Sequence, residues 1–127
     1  MTVLWVSLGG AVGSAARYLM SGWMLARLGA TFPYGTLAVN LLGSFALALL
    51  MRVGVETTLL APNVRFALTA GVMGGFTTYS TFSYETMQLL QGGATVLALG
   101  NVVATLVGGL VACALGWFAA VFVVGAP

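Results

Sequence analysis

The sequence predicts an all-α membrane protein of four transmembrane helices, the third broken in mid-membrane. Its residues are 61% hydrophobic and only 5% charged, with a mean hydropathy of +1.10, whereas soluble domains carry about 25% charged residues. Its 127 residues allow about four spans of roughly 20 apolar residues with short connections. That leaves residues 1–127 as a single transmembrane domain. Clusters of glycine and proline divide the apolar sequence at the spacing such spans require.

The first span covers residues 2–28. No basic region precedes it, and its apolar run is too long for a signal-peptide core, so a retained first helix is expected. Ser7, Gly10, Ser14, Arg17 and Ser21 recur at spacings of three and four and share one helical face. Small and hydroxyl residues there suit a close-packed helix interface. Arg17 differs, because a charge this deep in a span costs at least about 2.5 kcal/mol. It either snorkels to the headgroups or faces protein, water or an anion.

The breaker GATFPYG separates this helix from a second at 34–55. There Thr36, Asn40 and Ser44 fall on one stripe of an otherwise apolar helix. An amide in hydrocarbon needs partners, which a neighbouring helix or a permeant species can supply. A polar connection, GVETTLLAPNVR, follows, with Asn63 a candidate cap for the third helix at 64–91.

That helix contains MGGFTTYSTFSYE, which packs two glycines, five Ser or Thr hydroxyls, four aromatic rings and a carboxylic acid into thirteen residues. The glycine pair weakens the helix, and Thr77 and Thr78 compete for its backbone hydrogen bonds. Unwinding is therefore expected over 74–78. Unwound backbone at membrane depth persists only inside protein or beside a cavity; freed carbonyls suit a cation and freed N–H groups an anion. Beyond the break Tyr79 and Phe82 share a face, while Ser80 with Ser83 and Thr78 with Thr81 occupy adjacent ones. Ring edges are electropositive, so the pair either packs as ordinary core or greets a small anion.

QGG ends the third helix, and a fourth is expected at 94–124. Asn101, Thr105 and Gly109 repeat there the spacing of the second helix's stripe. Two polar tracks without an acid suit a neutral or negative species. Cys113 lies in an apolar run and reads as a packing residue; neither a disulfide framework nor a metal cluster is available.

Arg17, Arg27, Arg52 and Arg65 face only Glu56 and Glu85, with no lysine or histidine. No basic patch exists for nucleic acid. Near the helix ends, two arginines on the termini's side against one on the other give a feeble positive-inside signal. Insertion either way round is compatible with that balance. No internal repeat is present, so an inverted arrangement requires two copies.

The run GGFTTYSTFSYET resembles the signature GG-x-TTFSTFS-x-E of the Fluc (CrcB) fluoride channel family, and PYGTLxxN at residues 33–40 and Arg17 match its first two helices. The likeness extends over the whole chain. It implies a passive, selective fluoride channel in the cell's inner (plasma) membrane, an antiparallel dual-topology homodimer with two pathways. By that resemblance Asn40 points its amide into a pathway and Phe82 is one of two pore phenylalanines. Tyr79 replaces the other, keeping the ring edge and adding a hydroxyl. Backbone carbonyls of Gly74 and Thr77 would hold a central structural sodium ion. Ser80, Thr81, Ser83 and Glu85 match motif positions near the pathway, and Asn101, Thr105 and Gly109 stand where the family can have Tyr, Ser and Ser. The resemblance thus implies a fluoride pathway of Thr36, Asn40, Tyr79, Ser80, Thr81, Phe82, Ser83, Asn101 and Thr105, with Arg17 in its vestibule and Glu85 either a pathway or a structural acid.

Physical chemistry agrees with the resemblance. Fluoride holds its water tightly, so a selective pore must replace that shell with hydroxyl, amide and ring-edge donors, as carbonyls replace water around potassium. The alternative is a small dual-topology proton-coupled multidrug exporter, which needs a membrane carboxylate for substrate and proton. Glu85 is the sole candidate, and the first span has no acid. An anchor or assembly subunit leaves the dense hydroxyls unexplained. Nothing resembles a nucleophile, general base or cofactor loop, so an enzyme is not expected.

Overall fold

A computed structural model describes residues 1–125. Helix α1 (Thr2–Leu28) ends at Gly29, whose φ of 78° is left-handed and whose N–H reaches Leu25 O at 2.9 Å. Glycine alone adopts such a C-terminal turn without strain. Pro33, which cannot continue a helix, precedes α2 (Tyr34–Glu56). At the far end of α2 the Thr57 hydroxyl donates to Val53 O at 2.6 Å and closes the helix.

Helix α3 (Pro62–Phe66) starts on Pro62, preset for a first helical position. The next turns, Ala67–Met73, are π-helical, and α4 (Gly74–Phe76) returns to α-geometry. Thr77 and Thr78 are extended (ψ 156° and 116°) before α5 (Tyr79–Gln91) begins. The chain turns at Gly93, φ 77°, into α6 (Thr95–Ala119) and the short α7 (Val121–Val124).

Gly74 and Gly75 are therefore helical, and the irregular backbone is two residues long instead of the five expected over 74–78. A close approach explains the second glycine. A Cβ on Gly75 would stand 2.5 Å from Gly10 O, so backbone meets backbone there as in small-residue membrane interfaces. Gly9 and Gly13 likewise face Ala67 and Val72 of the π-helical turns. Together they seat α1 on the 67–76 stretch, while α2 packs along α6, with Gly116 against the Phe45 backbone.

Thr2–Leu28, Tyr34–Glu56 and Thr95–Val124 are long and apolar enough to cross a bilayer. The chain is a multi-pass membrane protein, helical with no strand among the described residues. Its outer faces carry Leu8, Val12, Leu19, Val103, Leu110 and Phe122 exposed, as hydrocarbon contact requires. Arg52 is buried at 7% exposure: Nε donates to both oxygens of Glu56 at 3.1 and 3.2 Å, Nη1 to Trp117 O at 2.9 Å, and the Trp117 ring lies beneath it. A guanidinium so paired and stacked loses little by leaving water.

Candidate functional site

The extended pair between α4 and α5 organises the site. Breaking a helix strands main-chain groups, and in a membrane each must find a partner. Asn40, on α2, supplies one. Its Oδ1 accepts from Thr78 N at 2.8 Å and its Nδ2 donates to Thr78 O at 3.0 Å. One side-chain amide thus satisfies both polar groups of a residue 38 positions away. Thr78 N–H is the donor an unbroken helix would send to the Gly74 carbonyl, so that carbonyl loses its regular partner. Thr77, extended, turns its own carbonyl out of the helical ladder.

Below the break Thr78 caps α5. Its Oγ1 accepts from Thr81 N at 3.3 Å and lies 2.9 Å from Thr81 Oγ1 and 3.4 Å from Ser80 Oγ. Three hydroxyls thus meet at one helix N-terminus, where the dipole favours negative charge. One turn further, Thr36 Oγ1 donates to Glu85 Oε1 at 2.9 Å, while Glu85 Oε2 is buried without a hydrogen-bonding partner.

Two cavities meet at Thr78. The first, about 430 Å³, is lined by Arg17, Ser14 and Ser21 of α1 with Thr36, Thr81 and Glu85, and so joins a cation, a carboxylate and hydroxyls. The second, about 250 Å³, is lined by Asn40, Ser44, Thr77, Tyr79, Phe82 and Thr105 and has no ionisable group apart from the Tyr79 phenol. A water molecule occupies about 30 Å³ of liquid, so each has room for an ion with part of its shell. Within the second the Thr105 hydroxyl is buried and has no hydrogen-bonding partner. Phe82 is buried at 7% exposure whereas Tyr79 is 77% exposed, and the ring centroids are 5.7 Å apart at 55°. One ring is held inside the chain and the other projects from it.

Not every hydroxyl expected beside the site is free to serve it. Ser44 Oγ donates to Asn40 O at 2.7 Å and Ser83 Oγ to Tyr79 O at 3.0 Å, each within its own helix. Asn101 lines neither cavity; it is 1% exposed, with Nδ2 donating to Thr86 Oγ1 at 2.9 Å. Thr86, which pattern reading did not single out, is the hydroxyl that receives it.

The sequence that builds these cavities resembles that of known proteins. The model of the "CrcB-like protein, Camphor Resistance (CrcB)" family matches residues 4–117, a stretch that takes in every residue of both cavities. The chain belongs to the CrcB family. Among its relatives, a protein of Anaeromyxobacter named "Fluoride-specific ion channel FluC" is 52% identical over 110 residues, 87% of each chain. One of the same name from Sorangium cellulosum is 50% identical over 112 residues, 88% of each chain. Another from Syntrophotalea carbinolica is 44% identical over 120 residues, 94% of this chain and 98% of the relative. These CrcB relatives are named as channels, and channels are not enzymes.

Proposed function

We propose that the chain is a passive, selective fluoride channel, acting as an antiparallel dual-topology homodimer in the membrane that bounds the cytoplasm. The observation that carries this is the second cavity, where a partnerless buried hydroxyl, Thr105, joins the Asn40 amide and the Phe82 and Tyr79 rings with no carboxylate. Such a donor set suits a small anion that must exchange its water for N–H, O–H and ring edges. The names of the relatives supply the identity of the ion.

Arg17 draws the anion into the first cavity, the vestibule, without gripping it at a constriction. Thr36, Ser80, Thr81 and Thr78 pass it along the α5 N-terminus. Asn40, Phe82, Tyr79 and Thr105 then receive it, with Ser44 and Ser83 contributing once they turn from their own helices. Glu85 lies beside this route, its Thr36 bond available to rearrange. Tyr79 projects from the chain, which suits a pathway whose other wall belongs to a second copy. Two copies make two pathways, and fluoride leaves the cytoplasm down its electrochemical gradient. The stretch 62–91 serves as the third, interrupted span and brings the number of spans to four.

A sodium ion at the centre of the dimer fits the carbonyls of Gly74 and Thr77, which the break removes from the helical ladder. Bound there it would supply fixed positive charge and hold the two breaks together; it is not carried across. The exporter reading finds less support, since α1 offers no acid to pair with Glu85.

Purified protein in liposomes, with voltage clamped by a potassium ionophore, should release fluoride rapidly and chloride negligibly. Equal chloride release overturns the reading. Thr105→Val should slow fluoride release by about tenfold or more, the worth of a hydrogen bond to a charge, while Thr105→Ser retains it.

A further inference from the structure

Asn101 carries a role that neither its spacing on α6 nor the family likeness suggests. Its side chain is sealed at 1% exposure between α6 and α5 and lies outside the cavity that Thr105, one turn along the same helix, helps to line. Its Nδ2 donates to Thr86 Oγ1 at 2.9 Å, and Thr86 Oγ1 donates onward to Phe82 O at 2.7 Å. A two-bond relay therefore runs from α6 to the main chain of the residue whose ring walls the cavity.

The relay's ends explain what it does. Thr105 and Asn101 are four residues apart and share a face of α6; Phe82 and Thr86 are four apart and share a face of α5. One bond between the two pairs fixes how far α6 can slide along α5. That register sets the separation between the Thr105 hydroxyl and the Phe82 ring across the cavity. Among the described residues, the other side-chain hydrogen bond to α6 comes from Arg52 of α2 to Trp117 O, about four turns away, and does not tie α6 to α5.

We infer that Asn101 is a positioning residue that, through Thr86, sets the register of α6 against α5 and so the width of the anion cavity. The inference rests on the channel reading above. An anion that must shed water responds steeply to the reach of its donors, so the relay governs discrimination between fluoride and chloride more than assembly.

The test compares wild type, Asn101→Leu, Thr86→Val, Thr86→Ser and the Asn101→Leu/Thr86→Val double variant in the liposome assay, reading fluoride and chloride release separately. Thr86→Val keeps shape and removes only the relay, so it remains informative where Asn101→Leu fails to fold. Asn101→Leu and Thr86→Val should each lower the fluoride-to-chloride release ratio by about tenfold, the order of effect of displacing a reacting group by an ångström or less. Thr86→Ser should restore it, and the double variant should be no worse than either single, because both break one relay. Wild-type ratios in folded Thr86→Val, or losses that add in the double variant, overturn the inference while leaving the channel intact. A wild type that releases no fluoride overturns the channel reading itself.

Discussion

Asn40 does work that its position on a polar stripe only half discloses. Spacing placed Thr36, Asn40 and Ser44 on one face of α2, and all three hydrogen-bond near the break or the Glu85 carboxylate. Bond direction was not legible. Nothing local to Asn40 announces that both its polar atoms close onto Thr78, nor that Ser44 turns its hydrogen back to Asn40 O. Back-bonding to the preceding turn is a standing option for any helical serine or threonine, and residue type alone does not show which ones take it. Asn40→Leu should therefore do more than delete a lining donor. It leaves Thr78 N–H and C=O without their partner at about 1–3 kcal/mol each. Fluoride release should be lost, and thermal unfolding in detergent should begin at clearly lower temperature; a variant as stable as wild type refutes the clamp.

At the scale of elements, the apolar segments and the Gly and Pro turns between them were readable because membrane spans have a length and a composition. Helix α2 ends at Glu56, one residue past the expected 55, and the third stretch begins at Pro62 instead of 64. The interruption was harder to delimit. A glycine pair reads as weakness in a helix, yet Gly75 is small because Gly10 O approaches it, and α4 stays helical through Phe76. What ends α4 comes from α2, and local pattern carries no trace of so distant a partner. Close approach also ranks the glycines of α1. A Cβ on Gly13 would collide with Val72 O, whereas around Gly22 nothing lies within 4 Å. Gly13→Ala should prevent accumulation of folded protein. Gly22→Ala should be neutral or stabilise the helix by up to about 1 kcal/mol. Membrane yield and detergent unfolding of the pair check this, and equal behaviour would mean that α1 does not seat on the 67–76 stretch as described.

For the whole molecule, the arrangement of charge is the informative quantity. The Thr2 hydroxyl donates to Asn63 Oδ1 at 3.3 Å, placing the start of α3 beside the start of α1. Arg65 is therefore at one end of the helices and Arg27, in the last turn of α1, at the other. A tag at the C-terminus should be accessible from both faces of the membrane, and labelling from one face alone would refute dual topology. Arg52 does not tip this balance outward, since its guanidinium is folded under α6 against Trp117 and held by Glu56. The burial of Arg52 has a genetic consequence. With so little to orient the chain, one lysine added beside Arg27 and one added beside Arg65 should each trap it in a single, opposite orientation. Either allele alone would then leave cells sensitive to fluoride, and the two expressed together would complement.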